Sequence, residues 1–428
     1  MNICRQAYRL TLAYKTFLYC GLFFMCLKLF LVLFFFKNSN FYTPDSYKYI
    51  ELANKFVSAY LTRDEQVLDQ SLSILPGYPA FLKLHMLNTF GILLSQFLIH
   101  LFISICVVVI MHLLVPGITI KAKFFAFLLS QIETSLFVYS FRILSEVLFT
   151  LFFLLLVIGV VKILKYKTFN ITIILFVNIF LVCLIRPVGF YLCAAFLFSI
   201  IFLNNKNVFF KLLLITVTCL GMYATFNFVS SGIYTYSTLQ NHYFLFYEGA
   251  GARAFTESIS LASIQSEEQK LRIDKIGEFA DFHTTDSYNF KRGLELILDN
   301  KVSFLKIHLL GVNKVLFGPN RSEISQLLSD SGRIKVSSVT ESLILFLSIL
   351  ITGFIAIFGL LGMLIYFTKS VEFKFILIMF TVFLLGSSGP QAYGRFRVPV
   401  SGILVIFAVL AINWTWNKRK KYNFKMDY

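Results

Sequence analysis

Two carboxylates, four arginines and a tyrosine are the side chains whose types and placement point most directly to chemistry. Asp45 stands in Pro44-Asp45-Ser46 just after the first long apolar run. Arg142 and Glu146 flank the turn between two further runs, Arg186 precedes Pro187 between the next two, and Tyr393-Gly394-Arg395-Phe396-Arg397 opens the last. A carboxylate at a rigid helix start can accept a proton from an attacking hydroxyl. Guanidinium groups grip phosphate oxygens at two points and stay charged. Each residue also has a plainer reading. Asp45 can serve as the N-cap of a helix from Ser46 to about Tyr60, and Arg186 and Arg397 can be anchors reaching to a membrane surface. The chemical reading gains weight only if the elements between these residues bring them to one place.

Those elements are apolar. Of 428 residues, 57% are hydrophobic and 14% charged, with a mean hydropathy of +0.76, whereas soluble domains carry roughly 25% charged residues. Runs able to cross a bilayer, which takes about 20 apolar residues each, recur along nearly the whole length. The sequence therefore predicts an all-α polytopic membrane protein with about ten transmembrane helices. The expected spans are Thr16–Phe36, Ile92–Val115, Phe124–Ser140, Ile143–Leu164, Thr172–Ile185, Val188–Leu203, Val208–Val229, Ser342–Phe367, Phe375–Gly386 and Val398–Trp416. The first is too long for a cleaved signal and lacks a small-residue cleavage pattern.

The formal charge of +17 reads as topology, not as affinity for nucleic acid. With the N-terminus inside, the inner connections carry Lys121 and Lys123, Lys165 and Lys167, Lys206 and Lys211, Lys369 and Lys374, and the run Lys418-Arg419-Lys420-Lys421, as the positive-inside rule requires. Both termini are then cytoplasmic, and all the candidate residues fall on the outer face. The chain divides into an N-terminal transmembrane module, 1–229, with a first outer loop at 37–78. An outer helical lid at 230–340 and a C-terminal module at 341–428 with a basic tail follow. Juxtamembrane helices are expected on the outer face.

Within the lid, Leu294, Ile297, Leu298, Leu305, Leu309, Val312 and Leu316 recur at helical spacing, as an interfacial helix or a helix packed on the spans requires. Lys28 and Glu133 lie inside the first and third spans at similar depth, roughly 14–18 Å from the inner ends at 1.5 Å per residue. An unpaired intramembrane charge is costly, so the two are expected to pair. The seven cysteines show no CxxC spacing, the six histidines show no metal-ligand spacing, and Gly249-Ala250-Gly251 lacks the context of a phosphate loop. No metal site is assigned.

Pro44-Asp45-Ser46-Tyr47 after the first span, Pro76-Gly77-Tyr78-Pro79 before the second, Leu144-Ser145-Glu146, Arg186-Pro187 and Gly394-Arg395-Phe396-Arg397-Val398-Pro399 form an ordered set. It resembles the GT-C superfamily, in particular bacterial glycosyltransferases related to the lipid A aminoarabinose transferase and the protein O-mannosyltransferases. The resemblance implies a donor sugar carried on a polyprenyl phosphate and an acidic residue of the first outer loop at the catalytic centre, here Asp45. Glu146 matches the second acidic position, and Arg186, Arg395 and Arg397 match donor-phosphate arginines more loosely.

In that chemistry Asp45 takes the proton of the acceptor hydroxyl, while Arg186 and one of Arg395 or Arg397 hold the phosphate. Glu146 positions the acceptor or orients an arginine, with Arg142 its candidate partner. Tyr47, Tyr78 and Tyr393 are placed to stack on sugars or to anchor at the interface. No cofactor is implied, although a divalent cation held by Asp45 and Glu146 is the alternative way to neutralise the phosphate. The acceptor, whether lipid, glycan or protein, is not legible. The expected setting is a bacterial inner membrane with a periplasmic site. An O-antigen-type polymerase or ligase and a lipid-linked glycan flippase are the competing readings, the latter expected to concentrate polarity at the membrane midplane.

Overall fold

The computed structural model describes residues 2–36, 38–62, 65–166, 172–278, 280–329 and 337–426. Lys37, Lys167 and the side chains of the basic run 418–421 lie outside the described residues. Among the described residues every regular element is helical, as expected where lipid offers the backbone no partners.

The first apolar run forms α1 (Asn2–Phe30) and continues through a π-turn at Leu31–Phe35. The segment that follows folds as α2 (Pro44–Asn54), α3 (Phe56–Tyr60), α4 (Glu65–Ser73) and α5 (Gly77–Leu84). Next come α6 (Thr89–Leu114), α7 (Ile120–Ile132), α8 (Thr134–Tyr139), α9 (Glu146–Tyr166), α10 (Thr172–Ile185), α11 (Tyr191–Phe202) and α12 (Lys206–Ser231). The second long segment holds α13 (Leu239–Tyr243), α14 (Ala250–Glu257), α15 (Leu261–Ile276), α16 (Phe282–Asp299), α17 (Lys301–Phe317) and α18 (Arg321–Ser329). The chain closes with α19 (Ser338–Tyr366), α20 (Val371–Gly386) and α21 (Val398–Met426).

Six helices among the described residues are long and apolar enough to cross a membrane, and Ile173–Ile185 and Pro187–Phe202 are shorter apolar helices. The chain is an all-α polytopic membrane protein. Its centre is α21, on which every residue from Val398 to Ala411 is buried. At the crossing of α19 and α21, a Cβ on Gly362 would lie 2.0 Å from the Phe407 carbonyl oxygen. Small residues permit such backbone approaches where burial from water gives no driving force. Farther out, Leu18, Phe23, Phe210, Leu214, Phe346 and Ile349 are exposed on α1, α12 and α19, as lipid-facing surfaces require.

The third expected span is not continuous. Glu133 interrupts it with an extended backbone (φ −57°, ψ 122°), separating α7 from α8. Its Oε2 accepts from the Leu136 amide at 2.7 Å, supplying the acceptor that the first turn of α8 lacks internally. Its Oε1 accepts from Arg397 Nε at 3.1 Å. The expected Lys28–Glu133 pair therefore does not form: Glu133 is already engaged. Lys28 instead donates to His100 Nδ1 at 2.5 Å and lies 5.5 and 5.4 Å from the ring centroids of Phe97 and Phe137. His100 Nε2 lies 3.0 Å from the Ser130 carbonyl. A carbonyl can only accept, so Nε2 carries the hydrogen and Nδ1 is free to receive one from Lys28.

The segment expected to form an outer lid also differs from a single interfacial helix. Asn300 (φ −118°, ψ 33°) breaks it into α16 and α17. Leu294, Leu298, Leu305 and Leu309 stay exposed, whereas Leu316 joins the core. The lid holds together through Glu268, which is fully buried and accepts from Arg253 Nη1 and Arg292 Nε, each at 2.9 Å. This joins α14, α15 and α16. Gly249-Ala250-Gly251 serves packing: a Cβ on Gly251 would meet the Pro390 ring at 2.2 Å, and one on Gly249 would meet the Gly293 carbonyl oxygen at 3.0 Å.

Arg397 is the fastener between these parts. Its Nη1 donates to the carbonyls of Val315, Leu316 and Gly318 at 3.0–3.1 Å, closing the end of α17. Its Nη2 donates to Ser135 Oγ at 2.7 Å. Arg397→Met should destabilise the fold by about 3–5 kcal/mol, since removing one partner leaves the other charge buried and unpaired. Thermal melting in detergent would register this, and adding Glu133→Gln should recover part of the loss.

Candidate active site

The sequence Thr43-Pro44-Asp45-Ser46 makes a helix start in which Thr43, not Asp45, is the cap. Thr43 Oγ1 accepts from the Ser46 amide at 3.3 Å, and Ser46 Oγ accepts from the Thr43 amide at 2.9 Å, a reciprocal capping box. Pro44 takes the first helical position, where its missing N–H costs nothing. The carboxylate of Asp45 is thereby spared backbone duty. Ser46 Oγ also donates to the Ile143 carbonyl at 2.9 Å, and the Ile143 amide donates to the Phe41 carbonyl at 2.9 Å. These bonds hold the start of α2 beside the turn that leads to Glu146.

Four separated stretches meet there. Arg395 Nη1 donates to Asp45 Oδ2 at 2.7 Å, bridging 350 positions of sequence. Its Nε donates to Glu146 Oε1. Arg186 Nη1 lies 2.9 Å from the same Oε1 as an ion pair, although its N–H is not aligned for a hydrogen bond. Tyr393 OH lies 3.4 Å from Arg395 Nη1. Glu146 is fully buried and Arg186 and Arg395 nearly so, but the Asp45 side chain is 45% exposed. Asp45 is thus the open side of the cluster. Both carboxylates stand in the first turn of a helix, where the unpaired amides and the dipole favour negative charge.

Packing sets this geometry. Pro76-Gly77-Tyr78-Pro79 brings α5 against the residues before Arg186, since a Cβ on Gly77 would lie 2.7 Å from the Leu184 carbonyl oxygen. Tyr78 is buried and donates to Gln96 Oε1 at 3.0 Å, so it is a strut and no sugar platform. Tyr47 is exposed and stacks on Tyr42, with ring centroids 5.6 Å apart. Burial raises the Tyr49 and Tyr393 phenols above their ordinary range, and burial next to Asp45 pushes Tyr243 up to about 12. All three remain O–H donors near neutrality.

Two of the candidate arginines are placed elsewhere. Arg397 belongs to the buried Glu133 fastener. Arg142 turns to α18: its Nη2 donates to the Glu323 carbonyl at 3.1 Å and to Gln326 Oε1 at 3.3 Å, and lies 3.5 Å from Glu323 Oε2. Arg142 is therefore not the partner of Glu146. Sequence reasoning missed Glu323, although Asn320 three residues before a glutamate is a helix-start signal. It also missed Tyr243, which no local pattern marks. Among the described residues, no three His, Cys, Asp or Glu side chains gather as a metal site, and the Arg395 guanidinium bridges the two carboxylates that a divalent cation would need.

Behind Tyr393 and Arg395, the loop 387–393 is seated in the lid. A Cβ on Gly311 would lie 2.5 Å from the Gly389 amide nitrogen. Glu248 Oε2 lies 3.2 Å from His308 Nε2. His308 Nδ1 donates to the Phe304 carbonyl at 3.0 Å, leaving Nε2 facing the carboxyl at ion-pair distance but not aligned for a hydrogen bond. Burial raises Glu248 to about 8 and lowers His308.

The fold and site define a polytopic membrane protein with a charge-balanced cluster of arginines and carboxylates at the ends of its helices. No family model and no curated protein matches the chain. Solved structures of the oligosaccharyltransferase of Archaeoglobus fulgidus are similar to it. One, tethered with an acceptor peptide containing the NVT sequon, has a TM-score of 0.44 and 12% identity over 82% of this chain and 42% of that one. Another, in complex with an inhibitory peptide and a dolichol-phosphate, has a TM-score of 0.46 and 10% identity over 89% and 47%. The chain spans less than half the length of either.

The raised Glu248 carboxyl makes a pH prediction. Its folded value of about 8 lies above the ordinary 4.5, so the folded state holds the proton more tightly. The resulting stability is present below the ordinary value and is lost as pH rises through the folded one. Melting temperatures should fall between about pH 5 and about pH 9, and Glu248→Gln should flatten the slope.

Proposed function

We propose that the protein is a membrane glycosyltransferase of the GT-C type, transferring a sugar from a polyprenyl-phosphate donor to an acceptor hydroxyl. The observation that carries this reading is the placement of Asp45, open on one side and tied on the other to an arginine that is itself held by Glu146. Asp45 and Glu146 balance Arg186 and Arg395 in charge. An arriving phosphate adds negative charge, so it competes with Asp45 for Arg395. The half-exposed Asp45 is the group free to give way. Phosphate binding thus releases the base as the donor arrives, while buried Glu146 keeps both guanidinium groups aimed.

In the reaction, the acceptor oxygen forms a bond to the anomeric carbon and the bond from that carbon to the phosphate oxygen breaks. The acceptor proton passes to Asp45. The departing polyprenyl phosphate is already a good anion, so no general acid is required. Arg395 and Arg186 stabilise its developing charge, a kind of contact whose loss typically raises a barrier by about 2.7–4 kcal/mol. Tyr393 and Tyr243 offer O–H groups to the sugar or phosphate. The proposed setting is a bacterial inner membrane with the site facing the periplasm.

Purified protein assayed against a panel of polyprenyl-phosphate sugars tests this reading. Asp45→Asn should lower turnover by about 10²–10⁴-fold, the usual contribution of a positioned base. Equal turnover would remove Asp45 from the mechanism. No turnover with any donor, together with movement of a lipid-linked glycan across proteoliposomes, would favour a flippase. Because arginines take the place of a cation here, activity should survive excess chelator; its loss, with recovery on adding Mg²⁺ or Mn²⁺, would restore the metal-dependent alternative.

A further inference from the structure

We propose that a groove between the start of α18 and the adjoining end of α19 binds one anionic membrane phospholipid. The groove, of about 220 Å³, is lined by Pro319, Arg321, Ser342, Leu345, Phe346 and Ile349. The four α19 residues fall at helical spacing on one face. Ser342 is one turn from the first residue of α19, so the hydroxyl and the arginine sit at the helix end while Leu345, Phe346 and Ile349 run toward the membrane interior. Phe346 and Ile349 are 56% and 52% exposed on a helix long enough to span the bilayer, which places lipid tails against them. Arg321 is exposed and makes no ion pair among the described residues.

A cation and a hydroxyl above an apolar channel match a molecule with an anionic head and a hydrocarbon tail. A free phosphate would leave the channel unused. A zwitterionic headgroup would bring its own cation toward Arg321. The donor lipid is disfavoured by position, because its phosphate must reach Arg395 and the Gly318-Pro319-Asn320 turn stands between. That turn is braced on several sides: the Gly318 carbonyl accepts from Arg397 at 3.0 Å, the Pro319 carbonyl accepts from Ser348 Oγ at 2.8 Å, and Asn320 Nδ2 donates to Ser135 Oγ at 2.8 Å. Asn320 Oδ1 lies 2.2 Å from where a Cβ on Gly394 would stand. Pro319, which lines the groove, thus belongs to the turn that backs Gly394, the residue before Arg395.

Native mass spectrometry of protein released from bilayers of mixed phosphatidylglycerol and phosphatidylcholine tests the site without any turnover assay. The wild type should retain one phosphatidylglycerol in preference to phosphatidylcholine. Arg321→Gln should weaken that retention about fivefold, the factor corresponding to about 1 kcal/mol of headgroup attraction. Ile349→Trp, which fills the channel and keeps the charge, should also lose the lipid, and melting temperatures near wild type would show both variants folded. Should either variant misfold, Arg321→Lys, with its charge kept, should retain the lipid. Equal retention of the two lipids by the wild type, or unchanged phosphatidylglycerol on folded Arg321→Gln, would overturn the proposal. Displacement of the bound lipid by equimolar polyprenyl phosphate would also overturn it, reassigning the groove to the donor.

Discussion

The short turn Gly394–Arg397 sends two guanidinium groups in different directions, and most of the architecture is arranged around where they land. Arg397 goes inward to Glu133, the end of α17 and the break between α7 and α8. Arg395 goes to Asp45 and Glu146. A charge taken out of water must find partners or impose a penalty of several kcal/mol, so each landing site fixes several helices at once. One turn therefore registers the long connecting segments on the transmembrane bundle and assembles the polar cluster.

The large features could be read from sequence because lipid makes them nearly obligatory. Apolar runs of sufficient length must be helices, and a Pro-Asp-Ser after such a run must begin another. The gathering of Asp45, Glu146, Arg186 and Arg395 also followed from topology, since the same threading puts all their loops on one face. What sequence could not supply was competition between partners. Depth along a helix suggested Lys28 for Glu133, but depth says nothing of azimuth, and Arg397 lies on the side that Glu133 faces. Likewise Asp45 looks like a cap until Thr43, two residues earlier, is seen closing the box with Ser46. The pairing of Arg142 with Glu323 spans 181 positions and has no local trace.

The segment between α12 and α19 shows how glycine serves such a structure through close packing. Gly251, Gly311 and Gly389 let three stretches of backbone approach more closely than side chains would allow, which leaves the loop before Tyr393 little freedom. Glu248 then sits against that loop, its Oε1 2.7 Å from where a Cβ on Gly389 would stand. In the proposed sugar transfer this rigid backing keeps Tyr393 and Arg395 aimed, since hydrogen-bond donors directed at developing charge act best when they need no rearrangement.

The 350 positions separating Asp45 from Arg395 also have a meaning in time. At roughly 5–20 residues per second, a ribosome would take about 20–70 s to pass from one to the other. Through that interval the early helices must insert with Glu146 and Asp45 still lacking their common guanidinium. The cluster assembles only once Arg395, which precedes α21, has been made, so a chain cut short before that residue leaves Asp45 and Glu146 without it.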